Sequence, residues 1–280
     1  MSTAQSQRFA YLGPVGTFTE AALKKITCDS DIKTPYANVT AALDAVRDGE
    51  VDFALVPIEN SVEGVVARTL DELAIGDPLT ISGEVTLPVT FAFMVKPGTQ
   101  NVQRIGTHPH AESQCRDYIA QKYPHAEIVP YPSTAAAAEA LSKGDLDAAI
   151  ASSAAAEHYD LEIREADIGD NSGAVTRFIC AQKPGWIPDP TGHDRTSMAV
   201  FIDIDHAGAL LEILQVFAKY DVNLTFIQSR PTGRELGHYH FIIDVEGHIK
   251  DTPVEKSVAE LREICDDIRF LGSYPREVRA

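Results

Sequence analysis

Basic side chains, cysteines and long apolar runs are all scarce in this chain. Its 280 residues carry 24 Lys and Arg against 41 Asp and Glu, a formal charge of −17 at pH 7. That balance excludes nucleic acid and anionic membrane surfaces as partners, because both require a basic footprint. It also sets a condition. If the ligand is an acid, the overall field repels it, and local Arg side chains or helix N-termini must overcome that repulsion. The four cysteines, Cys28, Cys115, Cys180 and Cys265, are scattered and form no Cys-x-x-Cys pair. This argues against a disulfide framework or zinc site and suits reduced thiols in a cytoplasmic protein. No apolar run approaches the roughly 20 residues of a membrane span, and the polar stretch Met1 to Gln7 holds no secretory signal. No cofactor fingerprint is present, so no cofactor is expected. The length exceeds the usual single domain, and two or three packed units are expected.

What is present first is an alternation of short apolar runs and amphipathic stretches. Arg8 to Leu12, Phe53 to Pro57, Thr90 to Val95, Arg104 to Gly106, Glu127 to Val129 and Ala148 to Ala151 read as strands, several continuously apolar as in a covered parallel sheet. Helical patterns lie between them at Thr19 to Ile26, Thr40 to Asp48, Val65 to Leu73, Ala111 to Gln121 and Thr134 to Lys143. The class is α/β, in which ligands sit at the carboxyl ends of strands. The rhythm breaks near residues 80 to 90 and 158 to 166. Two crossings between a pair of lobes would fit that, making a periplasmic-binding-protein-like region with lobes of about 1–82 with 161–184, and 83–160. Residues 185–195, rich in Pro and Gly, read as a linker. Beyond them Thr196 to Asp205, Gly208 to Tyr220, Leu224 to Pro231, Leu236 to Val245, Val254 to Cys265 and Ile268 to Tyr274 give the order βαββαβ. That predicts a small ferredoxin-like domain over 196–280.

One stretch combines a hydroxyl and a guanidinium beside a glycine-bearing turn: Asp170-Asn171-Ser172-Gly173-Ala174-Val175-Thr176-Arg177-Phe178. As a strand it puts Thr176 and Phe178 on one face and Arg177 on the other, although at a strand mouth both polar groups can reach one cleft. Arg177 suits a bidentate grip on a carboxylate; a structural ion pair is the alternative. Gly13 to Thr19 forms a strand-to-helix turn that can offer N–H groups to an anion, or be simply capped by Thr17 or Thr19. Glu59-Asn60-Ser61 follows an apolar run, where Asn60 and Ser61 can bind substrate and Glu59 either faces a hydroxyl or caps a helix. Ser152 and Ser153, before an Ala-rich helix, offer another anion site or ordinary capping. The alternating His108 and His110 invite a metal, but no further ligands appear at suitable spacing, and none is expected.

Six motifs in order carry a family resemblance covering about Arg8 to Tyr274. They are Gly13-Pro14-Val15-Gly16-Thr17-Phe18-Thr19, Val56-Pro57-Ile58-Glu59-Asn60-Ser61, Thr107-His108-Pro109-His110 through Gln114-Cys115, Thr176-Arg177-Phe178, Gly208-Ala209-Leu210-Leu211 and Gln228-Ser229-Arg230-Pro231. With them the chain resembles the bacterial monofunctional prephenate dehydratases, a catalytic region of 1–184 followed by an ACT regulatory domain. The resemblance implies decarboxylation and dehydration of prephenate to phenylpyruvate. Thr176 would be the proton donor, Arg177 a carboxylate anchor and Phe178 a pocket wall, with Glu59, Asn60 and Ser61 beside them. Thr17, Phe18, Thr107, His108 and Gln114 would line the substrate pocket, His108 as a backbone-orienting or solvent-facing residue. It implies phenylalanine as feedback effector, held by Gly208, Ala209, Leu210, Leu211, Asn223, Leu224, Gln228, Ser229 and Arg230 between paired domains, hence a homodimer or homotetramer. Gln228 departs from the family's usual Glu at that place. Arogenate dehydratase and a non-catalytic amino-acid sensor remain the alternative readings.

Overall fold

A computed structural model describes residues 6–202, 206–232 and 239–277. In chain order the elements are β1 (Arg8–Leu12), α1 (Phe18–Lys24), β2 (Ile32–Tyr36), α2 (Val39–Asp48), β3 (Phe53–Asn60), β4 (Gly64–Val65), α3 (Ala67–Ile75), β5 (Thr80–Pro88), β6 (Ala92–Val95), β7 (Arg104–Thr107), α4 (Pro109–Ser113) and α5 (Arg116–Lys122). There follow β8 (Glu127–Pro130), α6 (Thr134–Lys143), β9 (Ala148–Ala151), α7 (Ser153–His158), β10 (Glu162–Glu165), β11 (Val175–Gln182), β12 (Asp194–Phe201), α8 (Ala209–Lys219), β13 (Leu224–Pro231), β14 (Tyr239–Glu246), α9 (Thr252–Ile264) and β15 (Asp267–Pro275). The α/β class and the C-terminal βαββαβ order are as expected. The chain divides into two compact units, one of residues 1–42, 55–66 and 85–178, the other of 43–54, 67–84 and 179–280.

Sheet order is β2-β1-β3-β11-β5, with β4 on β3, and β10-β6-β9-β7-β8 for the second sheet. The parallel pairs β1 with β2, β7 with β8 and β7 with β9 leave their carboxyl ends free for helix-starting turns. In the first unit, Phe91, Phe93, Ile105 and Ile150 pack on one side of the second sheet, and Met94, Leu141 and the alanines of α6 on the other. α6 shows why its borders were readable: Ser133 caps its start by accepting from the Ala136 N–H, and Gly144 ends it in the left-handed region at φ 90°. The single helix expected over Ala111 to Gln121 is instead two, α4 and α5. The Asp170 N–H takes the Gln114 carbonyl at 2.6 Å, an acceptor a continuous helix would have used itself, and Cys115 leaves helical geometry. The stretches near 80–90 and 158–166 hold edge strands β5 and β10. The edge strand β2, which contains Pro35, was not anticipated.

In the second unit a four-stranded antiparallel sheet runs β13-β14-β12-β15, with Met198, Val200, Ile243 and Val245 facing Ile213, Phe217, Val258 and Leu261 of α8 and α9. The opposite face meets α3 and β5 through charge. Arg195 donates to Glu84 at 2.6 Å with both side chains nearly buried, and Arg269 donates to the carbonyl of Gly76. Gly272, at φ 149°, lies so close to the Ile81 backbone that any Cβ would overlap it. The expected strand over Thr196 to Asp205 starts two residues earlier; residues 203–205, and 236–238 of the expected strand at Leu236, lie outside the described residues.

Candidate active site

Within the first unit, β1, β3, β7 and β8 and the start of β11 open onto one cavity of about 280 Å³. Its walls include Thr17, Phe18, Asn60, Glu63, Phe91, His108, His110, Gln114, Ser133, Thr134, Thr176 and Phe178. Neither Lys nor Arg is among the described lining residues. The strand period decides the triplet's fate. Thr176 and Phe178 face the cavity, while Arg177 points to the other side of β11, where its buried Nε donates to Glu59 Oε1 at 2.7 Å. Arg177 and Glu59, expected to meet substrate, are therefore an ion pair behind the wall.

The Thr176 hydroxyl is oriented by a fixed amide. Asn60 Oδ1 accepts from the N–H groups of Val62 and Glu63 at 2.8 and 2.9 Å, so its Nδ2 must face Thr176, donating to Oγ1 at 2.8 Å. With one lone pair thus occupied, Thr176 keeps its own proton for another partner. Ser61 is not on the wall: its N–H donates to the Val175 carbonyl and its Oγ accepts from the Val175 N–H, stapling β3 to β11.

Other expected contacts divide similarly. Phe18 stands edge-on to Phe91 at 5.7 Å, making an aromatic wall with Phe178. Thr17 caps α1, accepting from the Glu20 N–H, while Glu20 takes the Gly16 N–H at 2.5 Å. Capping, rather than an open anion cradle, therefore describes that turn. The Ser152 hydroxyl likewise donates to the Gly16 carbonyl at 2.7 Å. Thr107, expected to touch substrate, is fully buried and donates to the Ile150 carbonyl, because it ends β7 with its hydroxyl turned into the sheet. His108 does line the cavity, and it caps α4 by accepting from the His110 N–H at 3.2 Å. Burial first, then His110, hold its pKa below 6.5, against the pull of Glu63. Cys115 is buried and its thiol is pushed up to about 12 by burial and by Asp170, which removes it as a nucleophile.

Glu63, on the cavity wall, escaped the motif reading. Glu63 accepts from Gln114 Nε2 at 2.8 Å and lies 3.5 Å from His110 Nδ1. Gln114 Oε1, in consequence, is a buried acceptor without a partner. A Glu in a polar turn resembles any solvated side chain; its place three residues after Asn60 was the available signal.

In the second unit Gly208, Ala209, Leu210 and Leu211 line a cavity of about 180 Å³ with Ile202, His206, Tyr239 and Phe241. The other expected effector residues do not line it. Leu224 starts β13 and Asn223 precedes it, the Asn223 carbonyl accepting from the Glu246 N–H. Gln228 bonds the Ser229 carbonyl, and Arg230 grips Asp71 of α3 in a bidentate fork at 2.9 and 2.7 Å. Arg230 thus binds a carboxylate of its own chain.

The prephenate dehydratase family model matches residues 9–185 and the ACT domain model residues 200–263. A prephenate dehydratase of Mycolicibacterium vanbaalenii is 44% identical, the match covering 95% of this chain and 90% of its own. The crystal structure of the Arthrobacter aurescens prephenate dehydratase in complex with L-Phe superposes with a TM-score of 0.90 at 46% identity, covering 96% of this chain and 90% of that one. GqqA, described as a novel type of quorum-quenching acylase, superposes at 0.86 with 29% identity, covering 97% and 98%. With matches of this extent, the chain belongs to the prephenate dehydratase family and carries a C-terminal ACT domain.

Proposed function

We propose that this chain converts prephenate to phenylpyruvate and is inhibited by L-phenylalanine. The observation that carries the reading is a hydroxyl held proton-outward, Thr176 on Asn60, in an aromatic-walled cavity of a prephenate dehydratase family member. Prephenate dianion and one proton yield phenylpyruvate, carbon dioxide and water. The electrons of the breaking ring–carboxylate bond enter the ring and leave with the hydroxyl at the opposite carbon, so no separate electron sink is required. The chain must place that hydroxyl at a donor, and Thr176 is suited to it. A free Thr hydroxyl is a weak acid, so Thr176 works through a strong hydrogen bond as charge develops on the departing oxygen. Phe18, Phe91 and Phe178 offer apolar surface to the nascent aromatic ring. Since neither Lys nor Arg is among the described lining residues, the substrate carboxylates are left to Ser133, Thr134 and the N-terminal N–H groups of α6.

The ACT domain is the proposed effector module, with phenylalanine seated against Gly208 to Leu211 and a second subunit completing the pocket in a homodimer or homotetramer. The catalytic region is proposed as two lobes, 1–82 with 161–184 and 83–160, joined to the ACT domain of 196–280 by a linker at 185–195. A cytoplasmic setting suits the four free thiols. Phenylpyruvate formation from prephenate by chelator-treated protein, with and without phenylalanine, tests the reading. Turnover that phenylalanine lowers supports it. Absence of turnover by folded protein, or acylase activity in its place, defeats it.

A further inference from the structure

We infer that Glu63 decides which end of the substrate meets Thr176, an inference that rests on the prephenate reading above. Glu63 is the one carboxylate among the described residues lining the cavity. Its backbone N–H holds Asn60 Oδ1 at 2.9 Å, and Asn60 in turn holds Thr176. Its Oε1 accepts from Gln114 Nε2 at 2.8 Å. A carboxylate only accepts, so only the amide NH2 can face it, and Gln114 Oε1 is left as a second acceptor, buried and unpaired. Glu63 keeps some of its own lone pairs free, its side chain being 32% exposed.

The cavity's carboxylate thus sits on the residue whose N–H fixes Asn60, the amide that orients the Thr176 hydroxyl. Prephenate has two carboxylates, a keto group and a single hydrogen-bond donor, its ring hydroxyl. Both carboxylates are repelled by Glu63, while the hydroxyl is the one group that satisfies it. The hydroxyl donates to Glu63 and accepts from Thr176, which sets the departing oxygen at its proton donor. Phenylpyruvate lacks the hydroxyl, so the product leaves these acceptors unpaired and gains nothing from them.

Arogenate separates this from the opposite arrangement, because it keeps the hydroxyl but carries an ammonium where prephenate has its keto oxygen. In Glu63→Ala, kcat/KM for prephenate, and for arogenate as substrate or its competitive inhibition constant, should both worsen by about tenfold or more. Phenylpyruvate inhibition should stay unmoved, and Glu63→Gln should change in the same direction by less. A gain on prephenate with a loss on arogenate would place Glu63 at the side-chain end and overturn the inference. Unchanged values for both would overturn it too, as would a parallel loss of phenylpyruvate binding, which marks general damage to the cavity. If the unaltered protein turned over neither substrate, the reading beneath the inference would fail and take it along.

Discussion

His108 caps α4 with a ring nitrogen, and that choice makes a local contact depend on pH. Its Nδ1 accepts from the His110 N–H only while unprotonated, and burial holds its pKa below 6.5 in the folded chain. The sign follows directly. Above 6.5 the imidazole is neutral both folded and unfolded, so the cap is intact. As pH falls below that value the unfolded chain takes up the proton first, and the cap's contribution is lost as pH passes the lowered folded value. His110 and Glu63 face the same ring and titrate beside it. An Asn cap does not titrate. His108→Asn should therefore lose less melting temperature than the unaltered protein between about pH 7 and pH 5, the difference corresponding to about 1 kcal/mol, the worth of a cap. Equal losses would mean that the ring nitrogen is not the cap.

Residues like these explain what could be read beforehand. Strand period put Thr176 and Phe178 on one face and the family resemblance put that face in the site, while Asn60 was placed by its position after an apolar run. Arg177, Thr107 and Arg230 were given ligand roles by their motifs, yet each is occupied within the chain, by Glu59, Ile150 and Asp71. A sequence displays which side chains can bind a carboxylate or a carbonyl, but not which such group the fold brings first. Among elements, helices with both caps, such as α6, were legible. The division of α4 from α5 was not, because it depends on Asp170, distant in sequence, taking one carbonyl. Edge strand β10 carries no apolar alternation to read; all four of its residues are exposed.

The pairing of β13 with α3 has its own consequence. Arg230 leaves an effector signature strand to fork onto Asp71, and α3 follows shortly in the chain after Asn60, which ends β3, and Glu63, which precedes β4. A tie between two elements transmits a binding event only if the event changes the tie's free energy. Arg230→Lys keeps the charge but cannot reproduce the fork. It should weaken inhibition by phenylalanine several-fold while prephenate turnover without effector stays near that of the unaltered protein, and Asp71→Asn should do the same. Unaltered inhibition in both variants would make the fork a structural pair only.

For the whole molecule, a charge of −17 and a dianionic substrate are at odds unless the site supplies its own attraction. On the proposed reading the cavity does so without a Lys or Arg among its described lining residues, through hydroxyls and helix N–H groups, with Glu63 the one carboxylate among those residues. The account thus stands on a single oriented hydroxyl within a chain whose family, fold and cavity agree. The most direct measurement is prephenate turnover by Thr176→Ala beside Thr176→Ser and the unaltered protein. The account predicts that Ala lowers kcat by about 10² to 10⁴-fold, the range of one positioned proton donor, while Ser retains most of the activity. An Ala variant that turns over prephenate at the unaltered rate would contradict it.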